Sequence, residues 1–527
     1  AFYQGKCPLS WYGVKHEFAI NRVVQYRDLK KKIQNATSDT TSKVIELRHE
    51  PGAGGTTLAR MIAYELSKEM PVVILNAYND KLSYQQLQNL YRKVRMSILI
   101  VVESSLISNE DLSKLIEELM AHAVPHVILH VNRLRSKTKK TDKDVLSLTD
   151  FEFNEMYQKL EVYMDDDKKE IVKKLSLNPV DRYPFFVSLY TFEEEFCGVS
   201  NYIQHFVTNI SKNDREVLEY ISLVDKFANR LLDVNFFQIV DKTDPMGVFA
   251  DPTNKSLITL VRKGKNDYLK IRHIKFADEI LGNRIGVNAG ASEYQKALNM
   301  SNLLREFIKF SKHQIMFDLD STIDILKNLL ILRDANSLIK DRFAPVISYI
   351  IEMLPEDRSG DKYNVIGVVF KDLVDTYPEE AHFKAHLSRY YTHIEGNYQR
   401  GIEEAKGAIE LSESQGLQDA LLYHIAGMSI RKYVEKKLFQ QVIDLKAFGE
   451  NEEADNVINE IQKMLKEASK YFEKVRDTNN KVAGYISDVE MCIELIDFEK
   501  KFIGCSTEVL LRDYKDSWFM EYYDRAL

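Results

Sequence analysis

Between residues 43 and 131, short apolar runs alternate with stretches of helical spacing. Val44-Ile45-Glu46-Leu47 reads as a strand, a Gly-rich turn follows, and Leu58–Lys68 carries apolar residues at helical intervals. Val72–Leu75 reads as a second strand, Leu82–Val94 as a helix, Ile98–Val102 as a third strand, Leu112–Ala121 as a helix and Val127–Val131 as a fourth strand. Ile98–Val102 is apolar throughout, which suits a strand buried on both faces. This alternation predicts a parallel sheet covered by helices. Ahead of it, Val23–Ile33 reads as helix and residues 35–42 (NATSDTTS) as a loop by composition.

Past residue 150 helical spacing dominates. Asp150–Met164, Lys168–Leu175 and Phe185–Glu195 read as helices. Residues 213–285 give helices at Arg215–Val224 and Leu232–Ile239, then strands at Ser256–Val261 and Tyr268–Ile271 about a turn at Gly264. Helix, helix and hairpin in that order predict a winged helix. From about 290 onward nearly everything reads as helix with short connections. Leu387, Ser388 and Tyr391, then Tyr398, Gly401, Ala405 and Ala408, follow the large–small–large spacing of a tetratricopeptide-like helix pair. Stacked pairs of this kind present concave surfaces to other proteins.

Composition narrows the class. Hydrophobic residues are 45% and charged residues 29% of 527, and Gly and Pro number only 21 and 11, an ordinary globular balance that excludes collagen-like and low-complexity chains. A formal charge of −7 argues against a protein that coats nucleic acid generally. Cys7, Cys197, Cys492 and Cys505 lie far apart with no C-x2-C spacing, so neither a zinc site nor a disulfide scaffold is expected, and a reducing cytoplasmic setting fits. The longest strongly apolar run, Ser97–Val102, is far short of the ~20 residues that span a bilayer. The chain opens at Ala1 with neither Met nor signal peptide, as expected of a piece of a longer protein.

The strongest local signal is Pro51-Gly52-Ala53-Gly54-Gly55-Thr56-Thr57 between a predicted strand and a predicted helix. Glycines there let backbone N–H groups converge on phosphate, and the helix start adds its positive dipole end. Gly52, Ala53, Gly54, Gly55, Thr56 and Thr57 are thus the candidate nucleotide-binding residues. In the G-x-x-x-x-G-K-[ST] pattern, Gly54 takes the second glycine, Gly55 stands where Lys is expected, Thr56 supplies the Mg²⁺-binding hydroxyl, and His49 replaces the first glycine. The missing Lys normally offsets charge that develops in phosphoryl transfer, so binding should survive better than turnover. Arg48 and Arg60 are nearby substitutes.

Glu103, the first polar residue after Ile98–Val102, is the candidate for holding Mg²⁺ and activating water; Ser104 follows it, so a single acid is available. Asn132-Arg133, at the end of Val127–Val131, is placed to sense a γ-phosphate. His122, His126 and His130 cannot share one helix face with Pro125 between them, Asp165-Asp166-Asp167 reads as a helix cap, and the basic stretch 133–143 reads as a solvated loop.

Several motifs recur in one order in one family: Phe2-Tyr3 with Gly5 near Trp11, GAGGTTLAR, Arg182 with Pro184-Phe185, Arg272-His273, and His382-Phe383 with His386-Leu387, Arg389 and Tyr390-Tyr391. In these the chain resembles the central and following regions of the sterile alpha motif domain-containing nine and nine-like proteins and their bacterial relatives. These are signal-transduction ATPases with numerous domains (STAND). The resemblance covers most of the chain. It implies an N-terminal leader packing on the NTPase domain (1–42), a P-loop NTPase α/β domain (43–150), a helical lid (151–212), a winged helix (213–289) and tetratricopeptide-like helices (290–527). The implied fold class is multidomain α/β plus α. The resemblance also implies ATP or ADP with Mg²⁺, antiviral or innate-immune signalling, adenine contact by Pro184 and contact with the β-phosphate by His273. Arg272-His273-Ile274 matches the family's Met-His-Asp triplet at its centre only.

The expectation is a nucleotide-controlled switch and oligomerisation scaffold, a slow NTPase or none, with protein partners on the helical array, self-association and no membrane partner. The alternatives are a non-enzymatic scaffold with a vestigial P-loop and a nucleic-acid regulator using the winged helix and Lys137, Lys139 and Lys140.

Overall fold

In the computed structural model, each of the four apolar runs becomes a strand of one parallel sheet. The structure describes all residues except 1, 4–6, 8, 39–41, 77, 80–81, 104–106, 108, 135–140, 142–143, 178–181, 194–195, 197, 209, 238–243, 245–246, 264–265, 314–318, 333–342, 355–363, 479–480 and 527. Two compact units result: Ala1–Ala291 with Gln314–Ser348, and Ser292–His313 with Tyr349–Leu527.

In the first unit, α1 (Trp11–Lys15) and α2 (Val23–Ser38) precede β1 (Lys43–His49), α3 (Gly55–Leu66), β2 (Val72–Ile74), α4 (Leu82–Val94), β3 (Ile98–Glu103), α5 (Asn109–Ala121) and β4 (His126–Arg133). The strand order is β1-β4-β3-β2, all parallel. Side chains alternate across a strand, so β3 feeds two cores. Leu99 and Val101 pack with Leu29 and Ile33 of α2 and Leu58 and Ile62 of α3, while Ile98, Ile100 and Val102 pack with Leu87 of α4 and Leu115 and Leu119 of α5. Burial on both faces is why no polar residue interrupts the run, and each such side chain contributes about 1.5–3 kcal/mol. All four C-terminal strand ends lie on one edge, with His49 level with Arg133 and Glu103 level with Val131.

Helix α2 runs through Asn35 to Ser38, where composition suggested a loop. Ile33 and Ala36 are buried against the sheet core, and that burial extends the helix past its propensity. Next come α6 (Asp150–Leu160), α7 (Asp166–Leu175), α8 (Pro184–Phe192), α9 (Val199–Thr208) and α10 (Lys212–Leu223). Thr149 and Glu152 form a reciprocal capping box on α6. The Asp165 carboxylate accepts from the Lys168 N–H at 2.8 Å and so caps α7.

A three-stranded antiparallel sheet follows, β5 (Leu232–Asp233), β6 (Ile258–Lys263) and β7 (Asn266–Ile271), in the order β5-β7-β6, and α11 (Ile274–Ile285) closes the segment. The helix expected over Leu232–Ile239 is absent from its described part. Leu232 and Asp233 pair with Leu269 and Tyr268, and Val234–Phe236 is a single 3-10 turn capped by Asp233. Pairing with a distant strand overrides local periodicity here. Residues 252–257, expected partly as strand, form another 3-10 turn before β6.

The second unit is helical. Ala381, Ala385, Ala405, Ala408 and Ala426 share one buried cluster, and small side chains there let helices approach closely. A Cβ on Gly401 would stand 2.3 Å from Thr392 Oγ1, and one on Gly427 2.6 Å from Phe472 Cε1. Among the described residues no helix is long and apolar enough to cross a membrane. Lys137, Lys139, Lys140, Ser104 and Gly264 lie outside the described residues.

Candidate functional site

The turn from β1 into α3 is built by two glycines in the left-handed region, Gly52 at φ +78° and Gly54 at φ +91°. Gly54 starts α3 without a side-chain cap. The first-turn N–H groups of Gly55, Thr56 and Thr57 therefore have no intrahelical acceptor and face outward. The Ala53 N–H is spent within the loop on the Glu50 carbonyl (3.1 Å), so of the candidate loop amides this one is occupied. The Ala53 carbonyl accepts from Arg22 at 2.7 Å.

Around this loop lies a cavity of about 510 Å³. Its wall includes Gly52–Thr57, Arg60, Glu103, Arg133, Pro184 and His273 among the residues singled out in the sequence, but not Arg48 or Asn132. The side chains of Thr56 and Glu103 make no hydrogen bond or ion pair among the described residues. Apolar lining comes from Tyr3, Ile20, Met156 and Leu160, which pack as one cluster, and from Phe18, Met61 and Pro184.

His273 sits directly over Gly52 of the loop. Its Nδ1 accepts from the Lys275 N–H at 3.1 Å and caps α11, which puts the proton of the neutral ring on Nε2. Nε2 stands 2.3 Å from where a Cβ on Gly52 would be, so only glycine fits beneath it. The ring is 6% exposed and stacks on Phe185 at 4.3 Å and 10°. Nε2 feels the Pro51 carbonyl but makes no hydrogen bond of normal geometry. Burial first, then the charges of Arg133, Lys275 and Lys270, push the His273 pKa down to about 3 against the pull of that carbonyl. The imidazole is neutral at physiological pH.

His49 explains the missing lysine. A Cβ on Gly55 would lie 2.2 Å from His49 Cγ, so the imidazole fills the place from which a lysine would leave the loop. The two departures from the P-loop pattern are one coupled change. Burial chiefly, helped by Arg133 and Lys270 and opposed by the Glu50 carbonyl, takes the His49 pKa to about 4.

Among the described residues the cavity wall holds seven Lys and Arg side chains, and six are engaged. Arg22 pairs with Glu152 at 3.0 Å and donates to the Leu146 carbonyl at 2.7 Å. Arg60 donates to the Leu9 carbonyl at 2.8 Å and lies over the Trp11 ring. Arg133 donates to the Asp225 carbonyl at 2.7 Å and to its carboxylate at 3.2 Å. Lys159 donates to the Ala19 carbonyl at 3.0 Å, Arg262 grips Asp267, and Arg272 pairs with Glu193 at 2.6 Å. The Lys270 side chain has no hydrogen bond or ion pair among the described residues. Arg48, the other substitute considered, faces Asp144 at 3.4 Å.

Sequence reasoning missed Arg22, Phe185 as the stacking partner, and Lys270. Arg22 and Glu152 are 130 positions apart, and no local pattern joins them. Phe185 lies in the RYPFF stretch that marked Pro184, and its N–H points to the Gly52 carbonyl at 3.5 Å.

A glycine-rich loop at the C-terminal edge of β1, running into α3 over a parallel β1-β4-β3-β2 sheet, is a P-loop NTPase-like arrangement with helices following it. No family model matches the chain, and no curated protein matches it. One solved structure similar to it is a STAND protein with a tetratricopeptide repeat sensor from Pyrococcus horikoshii, at 12% identity over 99% of this chain and 86% of that one, with TM-score 0.29. Another is Drosophila ORC bound to DNA, at 12% identity over 50% of this chain and 86% of that one, with TM-score 0.23. Neither superposition is close enough to carry a functional conclusion.

Proposed function

We propose that the cavity takes a nucleoside di- or triphosphate and that the chain is a STAND-type nucleotide switch and oligomerisation scaffold with weak or absent hydrolysis. One observation carries this reading. The His273 Nε2–H is buried, makes no hydrogen bond of normal geometry although the Pro51 carbonyl is near, and faces Gly52 beside a helix start without a side-chain cap. A buried donor of this kind takes water or an anion as its partner, and a helix N-terminus is suited to phosphate.

Thr56 and Glu103 are the residues that would hold Mg²⁺, an ion that takes one or two protein oxygens and completes its shell with water and phosphate. Bound there, it would neutralise phosphate charge. The apolar lining of Ile20, Met156, Leu160 and Pro184 suits a base. Adenine contact by Pro184, β-phosphate contact by His273, and γ-phosphate sensing by Arg133 are the roles proposed for them. ADP held between the loop and His273 would keep the nucleotide domain (43–150) and the winged helix (213–289) closed. Its exchange would release the chain to assemble, with the helical repeats (290–527) docking protein partners. Antiviral or innate-immune signalling is the setting the family resemblance supports.

Titration of the purified chain with ADP and ATP, with and without Mg²⁺, tests this. Binding is expected, with Thr56→Ala weakening the Mg²⁺-dependent part. No binding of either nucleotide at millimolar concentration removes the proposal. A second reading, a scaffold with a vestigial loop, is favoured by the His49 ring seated on Gly55. Tight nucleotide binding ends that one.

A further inference from the structure

A phosphate-binding loop ordinarily carries its own cation, and this one cannot. His49 occupies the exit from position 55, so the charge must come from elsewhere in the cavity wall. Six of the seven cations there are already engaged with acids, carbonyls or an aromatic ring.

Lys270 differs from all of them. On β7, Leu269 and Ile271 are buried in the core, so alternation turns Lys270 to the opposite face, where it is half-buried on the cavity. Its charge is felt by both His49 and His273, which places it within electrostatic reach of both rings on the loop. It lines the same cavity as the two neutral imidazoles and the start of α3, and its side chain has no ion pair or hydrogen bond among the described residues. An ammonium on this wall with no acidic partner among the described residues suits a polyanion, which the α3 amides and the His273 Nε2–H would contact as well.

We propose, resting on the nucleotide reading above, that Lys270 is the phosphate-binding cation of this chain, supplied by the β6–β7 hairpin in place of the loop lysine. His273 and Lys270 come from one short stretch. Movement of the hairpin away from the loop therefore withdraws both contacts together, and affinity for di- and triphosphates becomes conditional on the closed arrangement. A loop lysine has no such dependence.

Calorimetric titration of the full chain with AMP, ADP and ATP in Mg²⁺ tests the assignment. Lys270→Met, which keeps the apolar stem, should weaken ADP and ATP at least about tenfold and leave AMP unchanged, as loss of a charged hydrogen bond to the outer phosphates requires. Lys270→Arg should retain binding. Gly55→Lys should fail to rescue Lys270→Met, and His49→Gly with Gly55→Lys should rescue it. If wild type binds no nucleotide, the reading of the site falls and this assignment with it. If wild type binds ADP and both Lys270→Met and Lys270→Gln bind it equally well, the assignment alone falls.

Discussion

Adding a single methyl group at position 55 tests the coupling of His49 to Gly55 without reference to any ligand. The Cβ of Gly55→Ala would meet His49 Cγ, Cδ2 and Cβ at 2.2, 2.4 and 2.6 Å, and His49 Cβ is fixed to the strand and cannot swing aside. Overpacking of this kind costs about 1–3 kcal/mol. Replacing Gly by Ala in a helix returns up to about 1 kcal/mol, least at the first position, so the net loss in the single variant is smaller than the clash. The coupling is cleaner. His49→Ala with Gly55→Ala should show an interaction free energy of about 1–3 kcal/mol, because the methyl group then enters space the ring has vacated. Thermal unfolding of the four chains of the cycle reads it directly: the first transition falls by a few degrees in Gly55→Ala and recovers when His49→Ala is added. Additivity within about 0.5 kcal/mol would refute the coupling and reopen position 55 to a lysine.

Acid should destabilise the first unit through His49 and His273. Burial holds their folded pKa values to about 4 and about 3, below the ordinary 6.5, so the unfolded chain takes up protons first. Their contribution is complete above about pH 6.5 and is lost as pH falls through that value toward 4 and 3; a slope between pH 6.5 and 4 unchanged in the double Asn variant counts against this. Arg22→Met takes from the Glu152 carboxylate, 7% exposed, its ionic partner, leaving only the Thr149 donors, and removes the Arg22 hydrogen bonds to the Ala53 and Leu146 carbonyls. Breaking a buried pair costs about 3–5 kcal/mol, so chemical unfolding should show a loss of that order, and one below about 1 kcal/mol contradicts the buttressing role. Gly427→Val should destabilise the second unit through Phe472, 2.6 Å from the new Cβ, and leave nucleotide titration unchanged; equal unfolding midpoints would count against that packing.

The chain itself determined what depends on neighbours in sequence. The unbroken run Ile98–Val102 could only be a strand covered on both sides, and glycines 52 and 54 could take the left-handed turn into α3 at little steric cost. That Thr56, Glu103 and His273 would share one cavity wall was foreseeable, the first two from a turn and a strand end and the third from its resemblance to a family triplet. The tertiary structure decided the rest. It paired Leu232 with Leu269, where local periodicity favoured a helix, and it seated the His49 ring on Gly55, joining two departures that look unrelated in a row of letters. It brought Arg22 to Glu152 across 130 positions and left Lys270 as the one unpaired cation among those described in the cavity wall. Backbone geometry and strand burial are set by short-range sterics and periodicity. Which charges find partners depends on contacts between distant segments, and those exist only once the chain has closed around the loop.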